Sequence, residues 1–298
     1  MKSFRAAAGA FLRRCVPVAL SARIPVRAKA RVRAILRIEP WPDLAVGHPL
    51  FRTPDYRALR ERARPFDQFR KPYKPPIERG HQTSYLVSKW FAAAGVKTAF
   101  HAGYSNGRYL FYLGQAGLDC GGTDLELDEA PENQIPAAVF EARVLRRLLR
   151  ADFFEMAPGQ IAAVWDTLPI DVLFTEATFE TLFPWRKEGF SVAKYRAAEA
   201  SLRRTLLYER LPAKLAELGE TFSNMIFIEP APAAGGAGEV FGGCARALPA
   251  FQYSVWAFRP PFDRLFRLSP SEPTKQAVYA FVRDPAVLGP LRDFADRI

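Results

Sequence analysis

The chain has 298 residues, of which 49% are hydrophobic and 24% charged, with a formal net charge of +11. These values are typical of a globular protein with one large domain, or one domain and an extension. Three separated cysteines without a CxxC pair and three histidines without metal-ligand spacing argue against a disulfide scaffold and a metal site. The sequence contains no run of 18 or more apolar residues, so it does not predict a membrane-spanning helix. We expect a cytoplasmic protein.

The positive charge is concentrated at the N-terminus. Residues 1–38 contain ten Lys or Arg and no acid, so removing them from +11 leaves +1 for the other 260 residues. A nearly neutral body does not predict a nucleic-acid-binding face. The basic, amphipathic arm has three interpretations: a peripheral contact with an anionic membrane, a solvated basic segment, or a mitochondrial-type targeting segment.

A proline-rich extension follows over residues 39–81. Its X-Pro and Pro-Pro steps disfavour regular elements, apart from a short helix predicted at residues 56–64, so the segment is expected to wrap a surface. A helical pattern returns over residues 82–94 and begins the main domain, which we place at residues 82–298.

Strand and helix patterns then alternate, which indicates a mostly parallel α/β sheet covered on both faces. Two late apolar stretches without a long helix between them predict an antiparallel end. A glycine-rich stretch at residues 233–243 is interpreted as either a mobile lid or a flexible connector. The predicted strands are 98–102, 120–123, 172–175, 225–229, 253–258 and 277–282, and the predicted helices are 107–116, 137–149, 159–166 and 194–218.

Residues 95–126 carry the most informative spacing. The first strand runs into the turn Gly103-Tyr104-Ser105-Asn106-Gly107, a helix follows, and Asp124 ends the next strand. A glycine turn lets the backbone approach a ligand, and the helix N-terminus offers unpaired N–H groups. A carboxylate about 20 residues further on is placed to bind ribose hydroxyls. The segment therefore predicts a nucleoside-cofactor site.

Four motifs in order extend this pattern. An apolar strand and glycine turn occupy residues 99–107, a glycine, strand and G-x-D occupy residues 117–124, an acid follows at Asp152, and a strand opening with Asp spans residues 171–176. Over about residues 82–283 the chain resembles the class I, Rossmann-like S-adenosylmethionine-dependent methyltransferases, and more loosely the putative sugar O-methyltransferases of bacteria. The resemblance implies a seven-stranded, mostly parallel sheet whose last strand is reversed.

The resemblance also implies a set of residues that bind S-adenosylmethionine. Within it, Asp124 binds the ribose, and Asp152 with Phe153 lies against the adenine. Two positions depart from the family pattern, because His101 replaces an acid and Ser105 replaces the middle glycine. The implied cofactor-binding residues are His101, Gly103, Tyr104, Ser105, Asn106, Gly107, Asp124, Leu125, Asp152, Phe153 and Thr175.

Methyl transfer to a sugar or another small hydroxyl acceptor benefits from a general base, because the pKa of the hydroxyl is high. The predicted partner is thus a small-molecule or glycan acceptor. Ligands of open α/β sheets bind at the carboxyl ends of the strands. Glu176 follows the fourth predicted strand and His81 precedes the helix that leads to the first, so both are candidate catalytic residues. For His81 a packing or capping role is the alternative.

Two other functions stay open. A nicotinamide-dependent Rossmann oxidoreductase requires glycines at positions 103, 105 and 108, where the chain has Gly103, Ser105 and Arg108. A degenerate cofactor-binding protein docked through the basic arm is the second alternative, which the substituted turn with His101 and Ser105 keeps open.

Overall fold

The computed structural model describes residues 46–68, 77–124, 136–179, 182, 200–233, 236–266 and 275–298. The basic arm, Leu125 and part of the proline-rich extension lie outside the described residues, so the predictions made for them stay predictions. In the described part of the chain, no helix is both long and apolar enough to cross a bilayer.

One eight-stranded sheet organises the described domain, in the order β3-β2-β1-β4-β5-β7-β6-β8. The first five strands in this spatial order, β3, β2, β1, β4 and β5, are parallel to their neighbours. Strand β7 runs antiparallel to both β5 and β6. This confirms the predicted Rossmann-like sheet with a reversed end, to which the short β8 adds an outer strand. The strands are β1 (Thr98–Ala102), β2 (Asp119–Asp124), β3 (Leu148–Arg150), β4 (Ile170–Glu176), β5 (Phe222–Pro230), β6 (Gln252–Phe258), β7 (Gln276–Val282) and β8 (Ala295–Arg297).

Helices precede, connect and cover these strands. Two of them are joined by a π-helical turn at Leu206–Arg210, and short 3-10 turns occur at several connections. The described α-helices are α1 (Pro54–Arg62), α2 (Ile77–Ala93), α3 (Arg108–Gln115), α4 (Ala142–Arg146), α5 (Pro158–Ala162), α6 (Ala200–Thr205), α7 (Leu211–Glu217) and α8 (Ala237–Ala247).

The central strands are buried on both faces, which explains why their sequences are almost continuously apolar. In β4, Val172 and Phe174 join a core cluster on one face, and Leu173 joins a second cluster on the other. Residues of α2 and α3 complete the first cluster, and residues of α7 and α8 complete the second. The alternation in β4 is the two-residue period of a strand between two layers.

Two segments differ from the sequence-based prediction. The helix predicted over residues 137–149 is wrong: a 3-10 turn, the short α4 and the strand β3 occupy this segment. Leu148 of β3 pairs with Gly122 of β2, a long-range pairing that local periodicity does not reveal. Most of the glycine-rich stretch is α8, which begins at Ala237 and packs Val240 and Phe241 into the core.

The first turn of α2 lies close to the start of α3, at the carboxyl edge of β1. A Cβ atom added to Gly80 would lie 2.5 Å from Cζ of Arg108. The fold therefore gathers four segments at this edge: the β1–α3 turn, the ends of β2 and β4, and the beginning of α2.

Candidate functional site

The turn after β1 has the backbone geometry that its glycines predict. Gly103 and Gly107 have φ values of 79°, and Ser105 has a φ of 52° although it carries a side chain. The Ser105 N–H donates to Oδ2 of Asp124 over 2.6 Å, and the Gly103 N–H donates to the carbonyl oxygen of Thr123 over 2.7 Å. The structure thus joins the glycine turn directly to the carboxylate that the sequence places at the end of β2.

The same turn opens helix α3. Gly107 caps the helix in a left-handed conformation, and Oδ1 of Asn106 accepts from the Arg108 N–H over 3.3 Å. Tyr104 is buried against β2, where a Cβ on Gly122 would lie 3.0 Å from its ring. Gly122 therefore allows the turn to pack closely on the neighbouring strand.

His101 lies in the core below this turn. Its ring stacks on Phe174 at 4.9 Å between centroids, and neither ring nitrogen has a hydrogen-bond partner among the described residues. Burial, with a smaller contribution from the charge of Arg108, lowers the pKa of His101 to about 3. The imidazole is therefore neutral near pH 7, and it does not supply the negative charge that the resemblance expects at this position.

The segment after β3 lies next to the β4 loop. Oδ1 of Asp152 accepts from the Phe154 N–H over 3.0 Å, which gives Asp152 a turn-capping role. Phe153 packs against Phe179, with ring centroids 5.3 Å apart. The aromatic ring predicted for the adenine is thus adjacent to the end of β4, and its cofactor role stays a prediction.

A buried carboxyl group lies under the loop that follows β4. Oε1 of Glu229 accepts from the Thr178 N–H over 2.9 Å, the Phe179 N–H over 3.1 Å and the Thr175 hydroxyl over 3.3 Å. Burial raises the pKa of Glu229 to about 8, with a smaller contribution from the charge of Glu176. A pKa near 8 favours the protonated, neutral form of Glu229 at pH 7. Its role is therefore to fix the loop after β4 through hydrogen bonds.

Thr178 connects the β4 loop to the glycine turn. Its hydroxyl donates to the carbonyl oxygen of Ala102 over 2.9 Å, and a Cβ on Gly103 would lie 2.6 Å from that hydroxyl. Ala177 before it has a φ of 55°, a conformation that costs about 1–2 kcal/mol for a residue with a side chain. The loop is therefore held against the turn, at a position that only glycine fits without displacement.

Glu176 is partly exposed at the end of β4, as expected for a group that acts on a ligand. Burial lowers the pKa of Arg79 and raises the pKa values of Tyr109 and Glu229, and the charge of Glu176 makes a smaller, upward contribution to each, so all four side chains share one electrostatic environment. Arg79 comes from the first turn of α2 and Glu229 from the end of β5. Sequence analysis did not include Arg79 in the site, because α2 and β4 are far apart in the chain.

His81, the other candidate base, lies inside α2 and not before this helix as the sequence predicted, because α2 begins at Ile77, and its side chain is completely buried. Its ring nitrogens lie 3.1 Å from the Tyr112 hydroxyl and 2.9 Å from Oδ1 of Asp67. Burial is the largest cause that lowers the pKa of His81 to about 2, followed by the charges of Arg108 and Arg60. These contacts favour the packing alternative, in which a neutral imidazole joins α2 to α3 and to the 3-10 turn that contains Asp67.

Asp171, which opens the strand of the fourth sequence motif, lies at the opposite edge of the sheet, where β1 and β4 begin. Oδ2 of Asp171 accepts from the N–H groups of Lys97 and Thr98 over 2.6 and 2.9 Å, so this carboxylate joins the beginnings of β1 and β4. Within the ranges that the structure describes, no cluster of three or more His, Cys, Asp or Glu is arranged to hold a metal ion.

Comparisons with known proteins give only distant similarities. No protein-family model and no curated protein matches the chain. Among solved structures, EvdMO1 aligns with 12% identity over 75% of this chain and 47% of its own length, with a TM-score of 0.41. A TehB-like SAM-dependent methyltransferase from Corynebacterium glutamicum aligns with 13% identity over 78% of this chain and 100% of its own, with a TM-score of 0.42.

A third solved structure is magnesium protoporphyrin IX methyltransferase from Synechocystis with bound SAM. It has 13% identity over 85% of this chain and 96% of its own, with a TM-score of 0.39. The chain spans about half the length of EvdMO1 but nearly all of the other two proteins. Similarities at this level do not assign an activity to the chain, so its function is argued from its own residues.

Proposed function

We propose that this protein is an S-adenosylmethionine-dependent methyltransferase that methylates a hydroxyl group of a sugar or another small acceptor. The observation that carries the proposal is the 2.6 Å hydrogen bond from the Ser105 N–H to Asp124. It places a positive-φ glycine turn, a helix N-terminus and an acid at a strand end in contact, which is the arrangement that binds an adenosyl group in open α/β sheets.

The residues present fit the adenosine part of this cofactor. Asp124 is partly exposed at the end of β2, placed for ribose hydroxyls, and Phe153 offers an aromatic ring on the β3 side. When bound, S-adenosylmethionine supplies a methyl group from its sulfonium. The fit is weaker at the methionine end, because His101 is neutral where the resemblance expects an acid.

Glu176 is the residue that we assign as general base. Its partly exposed carboxylate lies at the carboxyl edge, whereas the other carboxyl group near it, Glu229, is buried and committed to the β4 loop. A base that removes the hydroxyl proton contributes about 10²–10⁴ in rate. Positioning of the methyl donor and the acceptor supplies the remaining rate enhancement. The hydrogen bond from the Thr178 hydroxyl to Ala102 keeps the β4 loop in a fixed position relative to the glycine turn.

Calorimetric titration of the full chain with S-adenosylmethionine, S-adenosylhomocysteine, NAD⁺ and NADP⁺ tests the cofactor. We expect binding of the two adenosyl-sulfur compounds and none of the dinucleotides. Binding of a dinucleotide instead would favour the oxidoreductase, and binding of neither class would remove the proposal.

Turnover is tested with S-adenosylmethionine carrying a labelled methyl group and a panel of glycan, lipid and small-molecule acceptors. The expected result is label in at least one hydroxyl compound. Cofactor binding without transfer to any member of the panel would favour the degenerate cofactor-binding protein.

A further inference from the structure

Arg79 is a buried cation whose hydrogen bonding is incomplete. The residue is 6% exposed, and its Nε donates to the carbonyl oxygen of Leu265, in the connection between β6 and β7. Its Nη1 has no hydrogen-bond partner among the described residues. A buried charged donor without a partner is costly, so an arginine in this state points to a ligand that completes it.

A second arginine lies beside it. Gly80, the next residue of α2, has no side chain, and the Arg108 guanidinium fills the space, with Cζ 2.5 Å from where a Cβ would lie. Nε of Arg108 donates to the Ser84 hydroxyl over 3.2 Å. Burial lowers the pKa of Arg79, and the charge of Arg108 makes a smaller contribution in the same direction, as expected for neighbouring cations. Gly80 thus lets the Arg108 guanidinium lie against the turn of α2 that carries Arg79.

Among the described residues, neither arginine has a carboxylate as hydrogen-bond partner: Arg79 donates to the Leu265 carbonyl oxygen and Arg108 to the Ser84 hydroxyl. Burial lowers the pKa of Arg79, and the charge of Glu176 opposes this shift without contacting the guanidinium group. An additional negative group would fit this environment, because guanidinium binds carboxylate and phosphate through paired, charge-assisted hydrogen bonds.

The position of Arg79 indicates which ligand brings that group. Arg79 contacts the β6–β7 connection and shares its environment with Glu176 at the end of β4, whereas Asp124 and the glycine turn are on the β1–β2 side. Under the proposed function, the first region is the acceptor side and the second is the adenosine side. We propose that Arg79 and Arg108 form an oxyanion site for the acceptor, which carries a carboxylate or a phosphate besides the hydroxyl that is methylated.

This inference rests on the proposed function and is tested by calorimetry on the full chain. S-adenosylhomocysteine is titrated first, and then D-glucuronate, D-glucose 6-phosphate and neutral D-glucose are titrated into the protein with and without it. We expect at least one anionic sugar to bind about tenfold more tightly than glucose, the effect of one charge-assisted hydrogen-bond set. The two anionic sugars distinguish carboxylate from phosphate.

Variants locate the effect. Arg79→Gln should lower the affinity for the anionic sugar to that for glucose, Arg79→Lys should retain part of it, and exposed Arg57→Gln on α1 should leave it unchanged. If Arg79→Gln does not fold by circular dichroism, Gly80→Ala, which displaces Arg108, should produce the same loss. Equal binding of charged and neutral sugars by the wild type, or a preference that survives in folded Arg79→Gln, would overturn the inference.

The cofactor is the competing source of an oxyanion. If Arg79→Gln weakens S-adenosylhomocysteine binding by about tenfold or more, the arginines hold the cofactor carboxylate and the inference is wrong. If the wild type does not bind S-adenosylhomocysteine at all, the proposed function fails, and this result is separate from the sugar titrations.

Discussion

The two sides of the carboxyl edge are built by different means. On the β1–β2 side, 22 consecutive positions from Gly103 to Asp124 supply the turn, the helix and the carboxylate, and backbone groups make the decisive contacts. On the β4 side, Glu176, Glu229 and Arg79 come from three distant segments and interact through side-chain charge and burial. The first side depends on conformation, and the second depends on electrostatics, so the two should respond differently to mutation.

Glu176→Gln is expected to have the largest effect, and only on the β4 side. Removal of the base should lower kcat by about 10²–10⁴ with the best acceptor from the panel, since the amide does not accept the hydroxyl proton. Affinity for S-adenosylhomocysteine, measured by calorimetry, should change by less than about twofold. Exposed Glu220→Gln is the control. Full activity of Glu176→Gln would remove Glu176 as the base.

Gly103→Ala tests whether conformation and close packing govern the β1–β2 side. Gly95 is a matched control, because its φ of 76° is nearly the same as the 79° of Gly103, and nothing lies within 4 Å of its added Cβ. Gly95→Ala should cost about 1–2 kcal/mol in free energy of unfolding from the left-handed backbone alone. Gly103→Ala should cost about 1–3 kcal/mol more, because its Cβ collides with Thr178.

Urea unfolding measures the free energy of unfolding of both variants. In the double variant Gly103→Ala/Thr178→Ala, the additional cost of Gly103→Ala over Gly95→Ala should be smaller, because the side chain that the new Cβ meets has been shortened. Equal destabilisation by the two alanines would mean that the β4 loop and the turn are not in contact as described.

Glu229→Gln should change stability least at acid pH, where the wild-type carboxyl is protonated, and it tests the pH dependence of stability. The pKa of Glu229 is raised in the folded state, so its stabilising contribution is complete below its ordinary value of 4.5 and is lost as pH rises through about 8. The wild type should therefore lose up to about 1.4 kcal/mol per pH unit from this group across that window. Glutamine mimics the protonated acid, so Glu229→Gln should have a flatter profile by thermal unfolding between about pH 5 and 8.

Glu220→Gln should leave this profile as it is in the wild type. If Glu229→Gln and the wild type have parallel profiles, Glu229 is ionised in the folded protein and contributes a charge to the site.

Much of the fold was predictable because the central strands are apolar on both faces and separated by helices. Strands β1, β2, β4 and β5 were found within a few residues of their bounds. The three-residue β3 was missed, because its stability comes from pairing with Gly122 of β2 and not from its own sequence. Helix α8 was missed because the glycines that suggested a flexible segment lie in a helix whose apolar residues pack into the core.

The site divides in the same way. Asp124 and the turn follow one another at a recognisable spacing, so the sequence predicted their proximity. Arg79 lies before the predicted domain boundary at residue 82, and only the packing of α2 against α3 brings it to Glu176. The environment of His81 depended equally on tertiary contacts, since its partners Tyr112 and Asp67 come from separate elements.

The most direct test of the account is calorimetric titration of S-adenosylhomocysteine into wild-type protein and Asp124→Ala. The account predicts binding to the wild type and a loss of about 10- to 100-fold in the variant, because the carboxylate both holds the Ser105 N–H and is placed for the ribose. Circular dichroism should show that the variant keeps its fold. Unchanged affinity in folded Asp124→Ala would contradict the assignment of this turn and carboxylate as the cofactor site.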